Sequence, residues 1–231
     1  MYLGTVGHDA PVTPNPLKFD AAISAFRDRV PLTRDEWNQL DDEEHDFAFT
    51  VSGVSQANLV AQVWDAVDSA VEDGETLEDF KDRVAGMLYD QWGEEDSSRL
   101  TTVFRTGVNE AYNDGREAVF RDPEVLADRP IWRYELIEDG ALCPLCEECG
   151  GIMLPADDPW WDDHRPLIHM CCRCSFTALT LAEAIEEGYE SDDDGPDVEA
   201  DDGFGGERDW DPDGSDYPAE IGAVFSDRME D

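Results

Sequence analysis

All six cysteines of this 231-residue chain fall in two short knots, Cys143, Cys146 and Cys149 in one and Cys171, Cys172 and Cys174 in the other. Cys143 and Cys146 stand as C-x-x-C, a turn that lets both sulfurs approach one ion at about 2.3 Å. Cys171 and Cys174 repeat the spacing. Two such pairs separated by a short insert predict a structural zinc site, since tetrahedral zinc is filled by four protein thiolates or imidazoles. The competing readings are a set of buried thiols, or two disulfides formed in an oxidising environment. A catalytic thiol, with Cys146 or Cys149 paired to His164 or His169, is disfavoured because no oxyanion element accompanies it. A deaminase-type zinc site would need an H-x-E partner, which is missing here.

The elements that must position the knots can be read from periodicity. Phe19, Ala22, Ile23, Phe26 and Val30 recur at helical spacing, and Thr33 with Glu36 forms a capping box for a second helix through Trp37 and Leu40, ended by the acidic run at 41–46. Ser55 is the expected N-cap of a helix carrying Leu59, Val60, Val63, Trp64, Val67 and Val71, stopped by Gly74. Thr76 opens the next, with Leu77, Phe80, Val84, Leu88 and Trp92. A third long helix starts at Ser97 or Ser98, runs through Phe120 and is closed by Pro123. On it, Arg105, Asn109, Tyr112 and Arg116 form one polar stripe, read as a cross-link to the segment that follows. After Pro130 the period becomes that of a strand, with Trp132, Tyr134 and Leu136 on one face. Short strands are expected at 152–154 and 173–179, a loop at 158–164, and a last helix capped by Thr180 and Glu183 and ending at Gly188. The expected fold class is α+β: a helical N-terminal half, a small zinc-stapled antiparallel β module and an acidic extended tail. The divisions are an arm at 1–18, a helical region at 19–122, the β module at 123–188 and the tail at 189–231.

Charge bounds the setting. There are 57 acidic residues against 16 basic ones, a formal net charge of -41, with lysine only at Lys18 and Lys81. The acid is spread along the chain rather than gathered in one block, the pattern of a protein adapted to molar salt, where the Debye length falls to about 3 Å. A surface so poor in cations disfavours phosphate-clamping recognition of nucleic acid. No apolar run approaches the roughly 18 residues of a membrane helix, and the N-terminus lacks the features of a signal peptide, so synthesis in the cytoplasm is expected. In the tail, Phe204, Trp210, Tyr217, Ile221 and Phe225 are the few apolar anchors, expected to dock on a partner; the alternative is that they fold back on their own domain.

The ordered series Arg105-Thr106, Asn109, Ala111-Tyr112-Asn113, Gly115-Arg116, Trp132, the C-x-x-C with Gly151, and Cys172-Arg173-Cys174 resembles the phage Mu F-like minor head protein family. Phe19, Ala22-Ile23, Phe26-Arg27, Val30 and Trp37 look like that family's N-terminal segment. Ala48-Phe49-Thr50-Val51-Ser52-Gly53 looks like its A-F-x-V-A-G turn, and 155–159 with Trp161 and His164 like its P-A-D-D-P loop. The resemblance covers about 19–179. It implies a role in head morphogenesis of a tailed virus: a location inside the capsid near the portal vertex, with the portal protein and major capsid protein as partners. Packaged DNA would be a neighbour rather than a recognised ligand. Together with the acidity, it points to a virus of halophilic archaea. The family pattern also implies His169, Cys172 and Cys174 as ligands of the second knot, leaving Cys149 and Cys171 extra. On an extended strand, Cys172 and Cys174 would lie about 7 Å apart, so one ion requires a bend there, or His169 or Cys171 in place of one of them. A nuclease or toxin-like enzyme, or a cellular zinc-ribbon interaction protein, are the rival functions; no catalytic constellation and no basic face supports either.

Overall fold

A computed structural model of the chain describes residues 19–39, 48–51, 54–92, 97–137, 143–191, 194–201 and 204–205. The arm at 1–18, Leu40 with the acidic run after it, Ser52-Gly53, and the tail anchors Trp210, Tyr217, Ile221 and Phe225 lie outside these residues, as do the side chains of Leu88 and Trp92. The first half is helical, with α1 at Asp20–Arg27, α2 at Arg34–Trp37, α3 at Ala57–Asp73, α4 at Leu77–Trp92 and α5 at Ser97–Phe120. The second half is built on a small antiparallel sheet of β3 (Ile131–Glu135), β4 (Met153–Pro155) and β5 (Ser175–Leu179) in the order β4-β3-β5. Short helices fill its connections: α6 at Pro123–Asp128, α7 at Pro144–Cys149, α8 at Trp160–His164 and α9 at Leu181–Glu186.

The predicted caps form. Thr33 and Glu36, and Thr180 and Glu183, make reciprocal capping boxes, and Thr76 Oγ1 accepts from Asp79 N while Asp79 accepts from the Thr76 N–H and hydroxyl. Gly74 ends α3 in the left-handed region, at φ 64°, which a side chain would disfavour. Several boundaries differ from expectation. The cap of α3 is Gln56 rather than Ser55, with no side-chain bond. Pro123 does not close α5; it takes the first turn of α6, where its missing N–H costs nothing, and Asp122 caps that turn. Within the expected loop 158–164, Trp160–His164 form the short helix α8, with Asp158 Oδ1 accepting from Trp160 N.

One pairing has no periodic signal. Strands of two residues, β1 (Val30–Pro31) and β2 (Ala48–Phe49), run parallel with Val30 opposite Ala48. They bring Phe49 beside Phe26, which also stacks on Trp64 with ring centroids 5.3 Å apart. Around them Val51, Val54, Val60, Val63, Val67, Phe80, Val84 and Ala111 close the helical core. Burial of this apolar face, more than helix propensity, holds such helices together.

The long helix α5 belongs to both halves. Leu100 near its start and Ala111 past its middle belong to the helical core, and its last residue, Phe120, packs edge-on against Phe176 of β5 at 5.5 Å. Where α1 crosses it, Gly115 lies against backbone: an added Cβ would sit 2.4 Å from Ala22 N. The sheet's inner face is an aromatic cluster of Trp132, Trp161 and Phe176, with Tyr134 and the buried cysteines continuing it.

The start of the tail also departs from expectation. Phe204 does not await a partner: with Val198 and Ala200 it packs on the module's own core. Backbone bonds fix it there, Asp201 N–H donating to Ile168 O at 2.9 Å and Gly205 N–H to Leu167 O at 2.8 Å. Trp160 Nε1 donates to Pro196 O, and both ring nitrogens of His164 face carbonyls, those of Trp160 and Val198. Among the described residues, no helix is long and apolar enough to cross a membrane.

Candidate metal centre

The first knot is a helix start. Pro144 occupies the first turn of α7, and Cys143 takes the N-cap position usually held by Ser, Thr or Asp, its sulfur accepting from Cys146 N–H at 3.3 Å. This turn aims Cys143 and Cys146 in one direction. The second knot is a bend preceding β5: Cys172 N–H donates to His169 O, Cys171 sits at φ 59°, and the strand begins only at Ser175. The bend that one ion requires is therefore present, and Cys172 and Cys174 are not held at the spacing of an extended strand.

Two triads of ligand atoms result, Cys143 with Cys146 and His169, and Cys146 with Cys172 and Cys174, each with all its atoms within 4.8 Å of one another. Cys146 is common to both. The Cys146 and Cys172 sulfurs are 3.8 Å apart, close to the ligand-to-ligand edge of about 3.8 Å that a zinc tetrahedron with 2.3 Å bonds requires. His169 Nε2 lies 3.1 Å from Cys143 Sγ and 3.0 Å from Cys146 Sγ. Its Nδ1 faces Met170 O at 2.8 Å, so the ring proton sits on Nδ1 and the Nε2 lone pair faces the sulfurs, the tautomer in which a histidine ligates metal. The donor set fits a zinc ion: it combines soft sulfur with one imidazole, is mostly buried, and offers five donor atoms for four positions.

Of the residues expected from sequence, Cys143, Cys146, His169, Cys172 and Cys174 are brought together. Cys171 and Cys149 lie in neither triad. Cys149 is fully buried and its thiol is pushed up to about 11, first by that burial. Among the three inner sulfurs, hydrogen bonds from Cys146 and Cys174 hold Cys172 far below the usual thiol range, while the same contact with Cys172 drives Cys146 upward.

The anticipated polar stripe of α5 splits. Asn109 Nδ2 donates to the carbonyls of Cys172 and Cys174, both at 3.0 Å, and so does link helix to knot. Tyr112 instead stacks on Phe19, Arg116 donates to Asn113 Oδ1, and Arg105 is exposed. The buried Asn113 adds a third bond, to Cys174 O at 3.1 Å. Sequence reasoning also missed a part-buried ionic row on the same helix, in which Arg29 pairs with Glu110 and Asp114, and Arg165 of the β module with Glu117. Its partners are 81, 85 and 48 residues apart, and no local pattern signals such pairs. A further missed neighbour is Tyr134, whose strand position gave only its burial. It packs in one core with Cys146, Cys149, Cys172 and Cys174, and its hydroxyl is enclosed without a hydrogen-bond partner among the described residues.

A family model described as "Phage Mu protein F like protein" matches residues 61–177. The "Putative capsid assembly protein F" of Escherichia phage Mu is 27% identical over 187 residues, covering 73% of this chain and 42% of that protein. The "Mu-like prophage FluMu F protein" of Haemophilus influenzae is 26% identical over 157 residues, covering 62% of this chain and 37% of its own length. The chain thus spans about two-fifths of the length of the curated relatives it matches. No solved structure matches it.

Proposed function

Because the chain belongs to the Phage Mu protein F like family, we propose that it is a minor head protein of a tailed virus, acting in assembly of the capsid. The observation that carries this reading is the match over 61–177, which takes in α3, α4, α5, the sheet and both cysteine knots. In this role the protein works by binding rather than by turnover. It sits inside the capsid at the portal vertex, contacts the portal protein and the major capsid protein, and affects packaging or delivery of DNA. A chain of net charge -41 can lie beside packaged DNA without being held by it. The same acid excess supports a virus of salt-adapted archaeal hosts, and the residues from 206 onward are the segment proposed for partner contact.

Zinc has a structural part in this proposal. Cys146, Cys172 and Cys174 supply three thiolates from the interior, and the fourth position is filled from the outer pair, Cys143 or His169. The ion would fasten α7 to the bend before β5, two segments that share no strand pairing. A sheet of three short strands has little core, and a metal is a usual supplement in so small a module.

Quantitative mass spectrometry of purified particles of the virus that encodes the chain tests the head role. A few copies per particle, recovered with portal and capsid proteins, are expected. Recovery only from host cytosol, with none in particles, would contradict it.

A further inference from the structure

We infer that Tyr134 is a positioning residue of the metal centre, donating its phenolic hydrogen bond to the Cys174 thiolate. The inference rests on the reading of the cysteine–histidine cluster as an ion site. Tyr134 is fully buried in the middle of β3, within the same core as Cys146, Cys149, Cys172 and Cys174. Its hydroxyl is enclosed and has no hydrogen-bond partner among the described residues. The core that encloses it is shared with Cys146, Cys149, Cys172 and Cys174, so sulfur is the acceptor at hand.

A neutral thiol is a weak acceptor, whereas a thiolate accepts strongly. Metal binds cysteine only as the thiolate. Loading the ion therefore turns the sulfur in front of Tyr134 into the acceptor that the buried hydroxyl needs. The register of the sheet brings the two close, since Tyr134 lies opposite Phe176, two residues beyond Cys174. Cys174 is then gripped at both ends: its carbonyl receives Asn109 and Asn113, and its sulfur receives Tyr134. Such outer bonds orient a ligand and draw charge from it, and their loss commonly lowers metal affinity about 10- to 100-fold.

The test is the full-length chain carrying Tyr134→Phe, which removes one oxygen and no packing. Both proteins are loaded with cobalt(II), and zinc affinity is measured by chelator competition. In the variant, the sulfur-to-cobalt charge-transfer band should move to lower energy, because an unbonded thiolate donates more charge, and zinc affinity should fall about tenfold or more. An unmoved band with affinity within about twofold of wild type, whether or not thermal stability changes, overturns the inference while leaving the metal site intact. Failure of the wild-type chain to take up either ion overturns the site and the inference together.

Discussion

The side-chain amide of Asn109 donates to the main-chain carbonyl of Cys174 across 65 residues of sequence, at 3.0 Å. Asn113, one turn further along α5, bonds the same carbonyl, and Arg116 holds its amide oxygen so that the nitrogen faces the knot. The second cysteine knot is thus tied to the longest helix before any metal is considered. Replacing Asn113 by Ala should cost about 0.5–1.5 kcal/mol, the usual net worth of one hydrogen bond, because Asn109 still serves the Cys174 carbonyl. The Asn109→Ala, Asn113→Ala double variant should also release zinc more readily than wild type. Urea unfolding and chelator competition measure the two effects. Unchanged values in the double variant would mean that the knot does not depend on the helix.

Gly115 makes a separate prediction about the crossing of α1 and α5. An alanine Cβ there would meet Ala22 N at 2.4 Å and Ala22 Cα at 2.6 Å, backbone atoms that cannot rotate away. Gly115→Ala should therefore push the helices apart and destabilise the chain by about 1–3 kcal/mol, although alanine favours helix in isolation. A thermal midpoint equal to or above that of wild type would show that the helices do not meet there.

Asp114 gives the chain a pH dependence of known sign. Burial pushes its carboxyl well above the usual carboxylate range, Arg29 opposes that, the Glu110 and Glu117 charges reinforce it, and Arg165 opposes it. A carboxyl whose folded pKa is raised stabilises the fold below its unfolded pKa of about 4, and that contribution is lost as pH rises through the folded value. Asp114→Asn, which cannot ionise, should match wild type near pH 4 and gain on it as pH rises to 7. Comparing thermal midpoints across that range cancels the general repulsion of the acidic surface. A gap that stays constant, or that closes with rising pH, would contradict the placement of Asp114.

Local signals made much of the fold legible. Apolar stripes and the Thr33, Thr76 and Thr180 caps announce the helices, because such a cap is decided within four residues. Alternation at Trp132 and Tyr134 announces β3. What stayed hidden was decided at long range. The β1–β2 pair has two residues per strand, too few to show a period, and α7 is set by a proline and a sulfur cap rather than by an apolar face. Phe204 reads as a free anchor in sequence because its packing on the core is set by backbone bonds from Asp201 and Gly205 to residues 168 and 167, which no sequence window contains. At the candidate site, the C-x-x-C spacing pointed to Cys143, Cys146 and Cys174 but paired the last with Cys171. Cys172 lies in the inner triad instead, and His169 entered only through the family resemblance. The bend at Cys171 and Cys172 decided which of them meet, and that depends on contacts with α5. Tyr134 read only as a core position, since nothing in a strand pattern tells whether a buried hydroxyl faces sulfur.

The central claim is that one zinc ion is held where the two ligand triads overlap, at Cys146. Elemental analysis of the purified full-length chain under reducing conditions, alongside Cys146→Ser, Cys149→Ser and Cys171→Ser variants, tests it most directly. The expected result is about one zinc per chain in wild type and in the Cys149 and Cys171 variants, whose sulfurs lie in neither triad, and almost none in Cys146→Ser. A wild-type zinc content near zero, or full occupancy that survives in Cys146→Ser, would contradict the account.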